Sequence, residues 1–183
     1  MELNAAERLQ LLNLARNTIA AILKTGIEPS LSPADFSPVL SEQRGVFVTL
    51  HKRGELRGCI GYIFPLLPLW QAVAENARNA AFRDPRFTPV RPEELVEILI
   101  EISVLTEPRP ISALAEFGVG QDGIILRKGT HQAVFLPQVA PEQGWDAETT
   151  LTHLSLKAGL GPDDWRSGAS FETFQAEVFG EAG

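Results

Sequence analysis

The chain has 183 residues, of which 44% are hydrophobic and 21% are charged, and its net charge is −7. This composition is typical of a folded globular protein and excludes a disordered chain, which would carry fewer apolar residues and more charge. The acidic balance argues against binding to duplex nucleic acid, because such proteins present a positive surface to the phosphates. Cys59 is the single cysteine, so an intrachain disulfide and a CxxC-type zinc site are excluded.

The ends and the apolar runs of the sequence predict where the protein acts. The first residues, MELNAAERLQ, lack the basic stretch and the apolar core of a signal peptide. No apolar run reaches the 18 residues that a membrane span requires. The sequence therefore predicts a soluble protein of the cytoplasm, with no membrane partner.

The first half of the chain begins with a predicted helix and continues into a strand pair. Asn4 and Glu7 have the spacing of a capping box, and the apolar residues that follow recur at helical steps over residues 5–24. Three prolines then exclude regular structure up to residue 44. Alternating residues predict a strand at 46–50, a hairpin turn at 52–55, a returning strand at 56–64 and a helix from Pro68 to residue 82.

The second half is predicted to hold more strands than helices. Residues 95–105 form the strongest strand pattern, residues 124–127 and 132–136 a second hairpin, residues 147–158 a helix and residues 171–179 a last strand. We therefore expect an α+β fold of antiparallel hairpins with flanking helices. The chain is predicted to be one domain over residues 1–183, and the proline clusters on both sides of residues 44–87 predict a small ββα lobe within a larger one.

The hexapeptide LRGCIG at residues 56–61 is the most unusual part of the sequence. A two-residue period places Arg57, Cys59 and Gly61 on one face of the strand. Two glycines weaken a strand, and they mark a bulge or a close approach of backbone or ligand. An arginine about 6–7 Å along the strand favours the thiolate form of a cysteine. The alternative is that Cys59 is a small buried hydrophobic residue.

Two further groups of polar residues are candidates for the same site. Glu101 and Ser103 interrupt an otherwise apolar strand and line either a cleft or the solvated face of a sheet. We predict Cys59, Arg57 and Glu101 as catalytic residues, and Gly58, Gly61 and Ser103 as substrate-binding residues. The sequence leaves open whether Glu101 or one of the three histidines would serve the thiol as base.

Other motifs carry less functional information. His51, His131 and His153 share no metal-ligand spacing, so we expect neither a metal site nor a cofactor. The charged segment from Arg83 to Arg86 is interpreted as the exit of a helix, with an Asp–Arg pair that fixes the turn.

Four separated motifs resemble those of a known family. LRGCIG, then DPRF followed by EISVL, then FLPQVAPEQGWD and KAGL stand in the order found in AMMECR-domain proteins, also called AmmeMemoRadiSam system protein A. The resemblance spans roughly residues 5–180. It implies an α+β fold with a larger and a smaller lobe, and a functional role for the hexapeptide. It also implies Memo-type and radical S-adenosylmethionine proteins as partners, because prokaryotic members occur alongside them.

Two functions remain open from the sequence. The first is a catalytic or carrier component of a small-molecule or modification pathway, in which Cys59 is the nucleophile or covalent carrier and Arg57 stabilises the thiolate or binds a substrate anion. The alternative is a non-catalytic adaptor that binds a ligand or peptide at residues 56–61. A cysteine without a lowered pKa and without a base in reach would favour the adaptor.

Overall fold

The computed structural model describes residues 2–182, and the chain divides into two compact units. The first contains the residues up to Leu105 and those from Glu177 onward, and the second is Thr106–Ala176. The predicted lobe at residues 44–87 lies wholly within the first unit, and its first strand pairs with the later strand at Ile98–Leu105.

The described residues form helices and two sheets of antiparallel strand pairs, which confirms the predicted α+β class. The helices are α1 Ala5–Thr25, α2 Leu69–Phe82, α3 Val139–Gln143 and α4 Ala147–Lys157. The strands are β1 Val46–Lys52, β2 Glu55–Tyr62, β3 Ile98–Leu105, β4 Arg109–Ile111, β5 Gly123–Lys128, β6 His131–Phe135, β7 Ser170–Phe174 and β8 Ala176–Gly180. The first helix begins with the predicted capping box, in which Asn4 and Glu7 each accept the other's backbone N–H.

The first unit is built on a four-stranded sheet in the order β2-β1-β3-β8. The pairs β1–β2 and β1–β3 are antiparallel, and β2 is an edge strand. Helices α1 and α2 pack against one face of this sheet, which we call the inner face. The inner-face side chains form the core, as predicted for β3: Val46, Val48, Leu50, Ile98, Ile100, Ile102 and Val104 are buried. The opposite face is called the outer face.

The second unit contains a sheet in the order β4-β7-β5-β6, with α4 packed against β6. Its core includes Leu126, Leu151, Leu154 and Trp165. The strand predicted at residues 171–179 is interrupted at Gln175, and its two halves belong to different sheets. Alternation of side chains does not reveal such a break, because both halves keep the same two-residue period. Within residues 2–182, no helix is long and apolar enough to cross a membrane.

Candidate functional site

A row of polar side chains crosses three strands on the outer face of the first sheet. Thr49 on β1 is in register with Cys59 on β2 and with Glu101 on β3. Residues opposite each other in an antiparallel pair project to the same face. The structure therefore brings the predicted Cys59 and Glu101 to one face, with the hydroxyl of Thr49 between them. Cys59 is half-buried, and the Glu101 side chain is 37% exposed.

Cys59 and Thr49 are close because the backbone of Cys59 is bonded on its other side. The Cys59 N–H donates to Oδ2 of Asp84 at 2.9 Å, and its carbonyl oxygen accepts from Nη2 of Arg86 at 3.3 Å. With both groups directed away from β1, Cys59 and Thr49 form the non-hydrogen-bonded type of pair, in which side chains approach most closely. The Thr49 hydroxyl accordingly donates to Sγ of Cys59 at 3.2 Å.

Asp84 and Arg86 form a tight ion pair at the edge of β2. Oδ1 of Asp84 accepts from the backbone N–H and from Nε of Arg86 at 3.1 and 3.0 Å, and Oδ2 accepts from Nη2 at 2.7 Å. The Asp84 side chain is 1% exposed, whereas that of Arg86 is 55% exposed. The hydrogen bonds from Arg86 hold the pKa of Asp84 well below its usual range, so the carboxylate is charged at neutral pH.

The thiol of Cys59 is held in its protonated form. Burial raises its pKa, and this effect outweighs the lowering by the Thr49 hydrogen bond and by the charge of Arg86. The charges of Asp84 and Glu101 raise the pKa further. Burial therefore opposes the expected thiolate, and the cation that lowers the thiol pKa is Arg86.

Arg57 is removed from the Cys59 site by a β-bulge. Leu50 pairs with Gly58 and His51 pairs with Leu56, so Arg57 has no partner on β1 and the regular alternation is interrupted. This interruption is why the two-residue period misplaced Arg57 on the face of Cys59.

The guanidinium of Arg57 lies against a buried glutamate. Nε and Nη2 of Arg57 donate to the two carboxylate oxygens of Glu94 at 3.1 and 3.0 Å. Lys52 donates to the same carboxylate at 2.9 Å. These contacts lower the pKa of Glu94 to about 2, with Arg57 as the largest cause. Arg57, Lys52 and Glu94, which we call the Glu94 cluster, close the sheet at the hairpin end.

The two glycines of the hexapeptide are required by packing. A Cβ on Gly58 would lie 2.2 Å from the carbonyl oxygen of Ala80 on α2, so Gly58 faces the inner side and is remote from the outer face. A Cβ on Gly61 would lie 2.5 Å from the ring of Phe47. Ser103 is only 3% exposed. Gly58 and Ser103 are thus buried, whereas Gly61 is partly exposed.

The three histidines are separated from one another. His51 lies beside Glu101, with Nε2 at 3.9 Å from Oε1, on the outer face. In the second unit, Nδ1 of His131 is 2.9 Å from the carbonyl oxygen of Ala158, and His153 stacks on Trp145. Among the residues that the structure describes, no three His, Cys, Asp or Glu side chains lie close enough to hold a metal ion.

Sequence reasoning missed Thr49, Asp84 and Arg86 as members of the site. Thr49 is polar in an otherwise alternating strand, and that signal was available. Asp84 and Arg86 stand in the DPRF motif, but their contact with Cys59 joins residues 25 and 27 positions apart, which no spacing rule indicates. A short run of charged residues after a helix usually forms exposed ion pairs, so it does not by itself indicate hydrogen bonds to a distant strand.

Comparison with known proteins agrees with this fold and with the motifs. The AMMECR1 family model matches residues 12–179. Protein Mbar_A1807 of Methanosarcina barkeri is 46% identical over 175 residues, covering 92% of this chain and 87% of that protein. Protein PF1979 of Pyrococcus furiosus is 45% identical over 184 residues, covering 93% and 86%.

A solved structure extends the agreement to three dimensions. The crystal structure of the uncharacterized protein PH0010 from Pyrococcus horikoshii superposes with a TM-score of 0.86 at 42% identity, covering 94% of this chain and 90% of that one. The chain belongs to the AMMECR1 family.

Proposed function

We propose that the protein is a ligand-binding component whose site is the outer face of the first sheet around Cys59, Thr49 and Glu101. One observation carries the proposal: the row combines a protonated, half-buried thiol with a carboxylate that has no strong cationic partner. Among the residues described, the ion-pairing group within 4.0 Å of Glu101 is His51, which is charged only when protonated. Such a row offers hydrogen bonds and one negative charge to a bound molecule.

The composition of the outer face suggests the class of ligand. Leu56 and Leu99 flank His51 in the row next to the Cys59 row, and their side chains are partly exposed. An aliphatic surface beside an open carboxylate suits a small molecule or short peptide with an amine and an apolar part. We further propose that such a ligand is handed between the Memo-type and radical S-adenosylmethionine partners that the resemblance implies.

Three capped tripeptides that differ in one residue test this proposal. Acetylated and amidated Leu-Lys-Leu, Leu-Gln-Leu and Leu-Glu-Leu are titrated at millimolar concentration into ¹⁵N-labelled protein. We expect the lysine peptide to shift the amide signals of Cys59, Thr49 and Glu101 most, and Glu101→Gln to weaken its binding several-fold. Glu55→Gln, an exposed change on β2, is the matched control and should bind like wild type. No shift at these amides with any peptide would overturn the proposal.

A catalytic or carrier role for Cys59 is the second candidate. The observation that favours it is the His51–Glu101 pair, which supplies proton acceptors on the face of the thiol. In that role one of these groups would accept the proton of the thiol, and the resulting thiolate would attack an electrophilic carbon and displace its leaving group. The pH dependence of alkylation by iodoacetamide separates the two candidates. An inflection at or above about 8.5 supports binding, and a clearly lower inflection supports catalysis.

A further inference from the structure

Asp84 is the residue that joins the Cys59 backbone to the nearby cation. Its carboxylate accepts four hydrogen bonds, one from the Cys59 N–H and three from Arg86. The Asp84 side chain is almost fully buried, whereas the guanidinium of Arg86 extends into solvent. Arg86 in turn donates to the Cys59 carbonyl oxygen. The Asp84–Arg86 pair therefore hydrogen-bonds both the N–H and the carbonyl oxygen of Cys59, which point outward from the edge of the sheet.

The charged and polar groups around the thiol come from three elements. The Thr49 hydroxyl on β1 donates to the sulfur, and Glu101 on β3 adds a negative charge, with His51 beside it. The loop after α2 contributes the negative charge of Asp84 and the positive charge of Arg86. Burial is the largest cause that raises the thiol pKa, the charge of Arg86 lowers this pKa, and the charges of Asp84 and Glu101 raise it.

We propose that Asp84 is the positioning residue of this site: it holds the edge strand at Cys59 and compensates the positive charge of Arg86 near the thiol. The inference rests on the proposal that the outer face around Cys59 is the functional site. Asp84 touches the Cys59 backbone and not the sulfur, so it acts through Arg86. Without the Asp84 charge, one carboxylate would oppose one guanidinium, and the thiol pKa would fall.

The test is the sign of the change in thiol reactivity when each member of the pair is neutralised. The rate of Cys59 alkylation by iodoacetamide is measured against pH. Asp84→Asn should move the inflection to lower pH by about one unit and accelerate alkylation at pH 7 by about threefold to tenfold. Arg86→Gln should move the inflection to higher pH and slow the reaction. Asp35→Asn and Arg83→Gln, in the same unit, are the matched controls and should leave the profile unchanged.

A purely structural role gives a different pattern. Loosening of the edge strand would expose Cys59 in both variants, and both would then react faster; that result, or an inflection that neither change moves, overturns the proposal. If Asp84→Asn does not fold, the Arg86 variants carry the test. Arg86→Lys keeps the charge and should retain the wild-type inflection, whereas Arg86→Gln should not, and equal inflections in the two overturn the proposal.

The same variants separate this inference from the proposed function. The lysine tripeptide is titrated into wild type and Arg86→Gln under the conditions used above. If the lysine peptide binds, but Asp84→Asn and Arg86→Gln move the alkylation inflection in the same direction, only the role of Asp84 is overturned. If the two variants move the inflection in opposite directions and the peptide does not bind, that role is kept and the binding function is overturned.

Discussion

Two arginine–carboxylate pairs lie along β2, but they serve different purposes. In the Arg57–Glu94 pair, the side chains are 12% and 9% exposed, and Lys52 completes the cluster. In the Asp84–Arg86 pair at Cys59, Asp84 is buried while Arg86 is more than half exposed. The first pair closes the sheet, and the second leaves a guanidinium at the surface beside a half-buried thiol. An ion pair that is shielded from solvent mainly stabilises the fold, whereas an ion pair with an exposed guanidinium can act on a neighbouring group.

Removing Glu94 is expected to have the largest effect. Glu94→Ala leaves Arg57 and Lys52 without their shared carboxylate, and breaking a buried ion pair costs about 3–5 kcal/mol of unfolding free energy. Urea denaturation at pH 7 measures the loss. Glu93→Ala, in the same 3-10 helix Pro92–Glu97, is the control, because Glu93 is exposed and should change stability by less than about 0.5 kcal/mol. Equal losses in the two variants would contradict the comparison.

The acid dependence of stability should also distinguish the Arg57–Glu94 pair from the Asp84–Arg86 pair. The pKa of Glu94 is lowered to about 2 by Arg57, so its contribution is present above the unfolded value near 4.5 and is lost as pH falls towards 2. The stability difference between wild type and Glu94→Gln, about 2–3 kcal/mol at neutral pH, should shrink over that interval. Unfolding in urea at several pH values measures it.

Asp84 provides the internal reference for this titration. Its pKa is depressed still further by Arg86, so the stability difference between wild type and Asp84→Asn should persist to lower pH. If the stability differences of Glu94→Gln and Asp84→Asn from wild type are lost over the same pH interval, the two carboxylates are held alike. That result would remove the distinction between the two ion pairs.

Gly58, which lies between Arg57 and Cys59, sets how closely α2 approaches the strand. Gly58→Ala would place a methyl group 2.2 Å from the Ala80 carbonyl oxygen, and the helix must shift. We expect a loss of about 1–3 kcal/mol, as for overpacking of a core. Gly180→Ala is the milder control, because its nearest atom, the Ile100 carbonyl oxygen, is 3.2 Å away. A smaller loss in Gly58→Ala than in Gly180→Ala would contradict packing as the reason for this glycine.

These elements also show what the sequence could predict. The capping box at Asn4 and the apolar face of β3 were read correctly because local hydrogen bonding and two-residue periodicity determine them. The site was predictable only in part. Cys59 and Glu101 lie on one face as alternation implies, but the bulge at Arg57 changes the direction of one residue without any change in composition.

The partners of Cys59 depend on tertiary packing. Asp84 reaches the strand only because α2 ends beside the edge of β2, and no local pattern encodes that approach. The burial that raises the thiol pKa is likewise a property of the folded sheet. The hypothesis of an arginine next to the cysteine was sound as chemistry, and the arginine itself was misidentified.

The smallest expected effect belongs to the thiol itself. If Cys59 serves ligand contact more than packing, Cys59→Ser should change the free energy of unfolding by less than about 1 kcal/mol, because the serine hydroxyl can accept the Thr49 hydrogen bond and the position is only half-buried. Differential scanning calorimetry and urea denaturation measure it, and Thr49→Val is the companion variant that removes the donor. A loss above about 2 kcal/mol in Cys59→Ser would show that Cys59 is a structural residue, like those of the Glu94 cluster. The surroundings of Cys59 and the Glu94 cluster would then both serve stability.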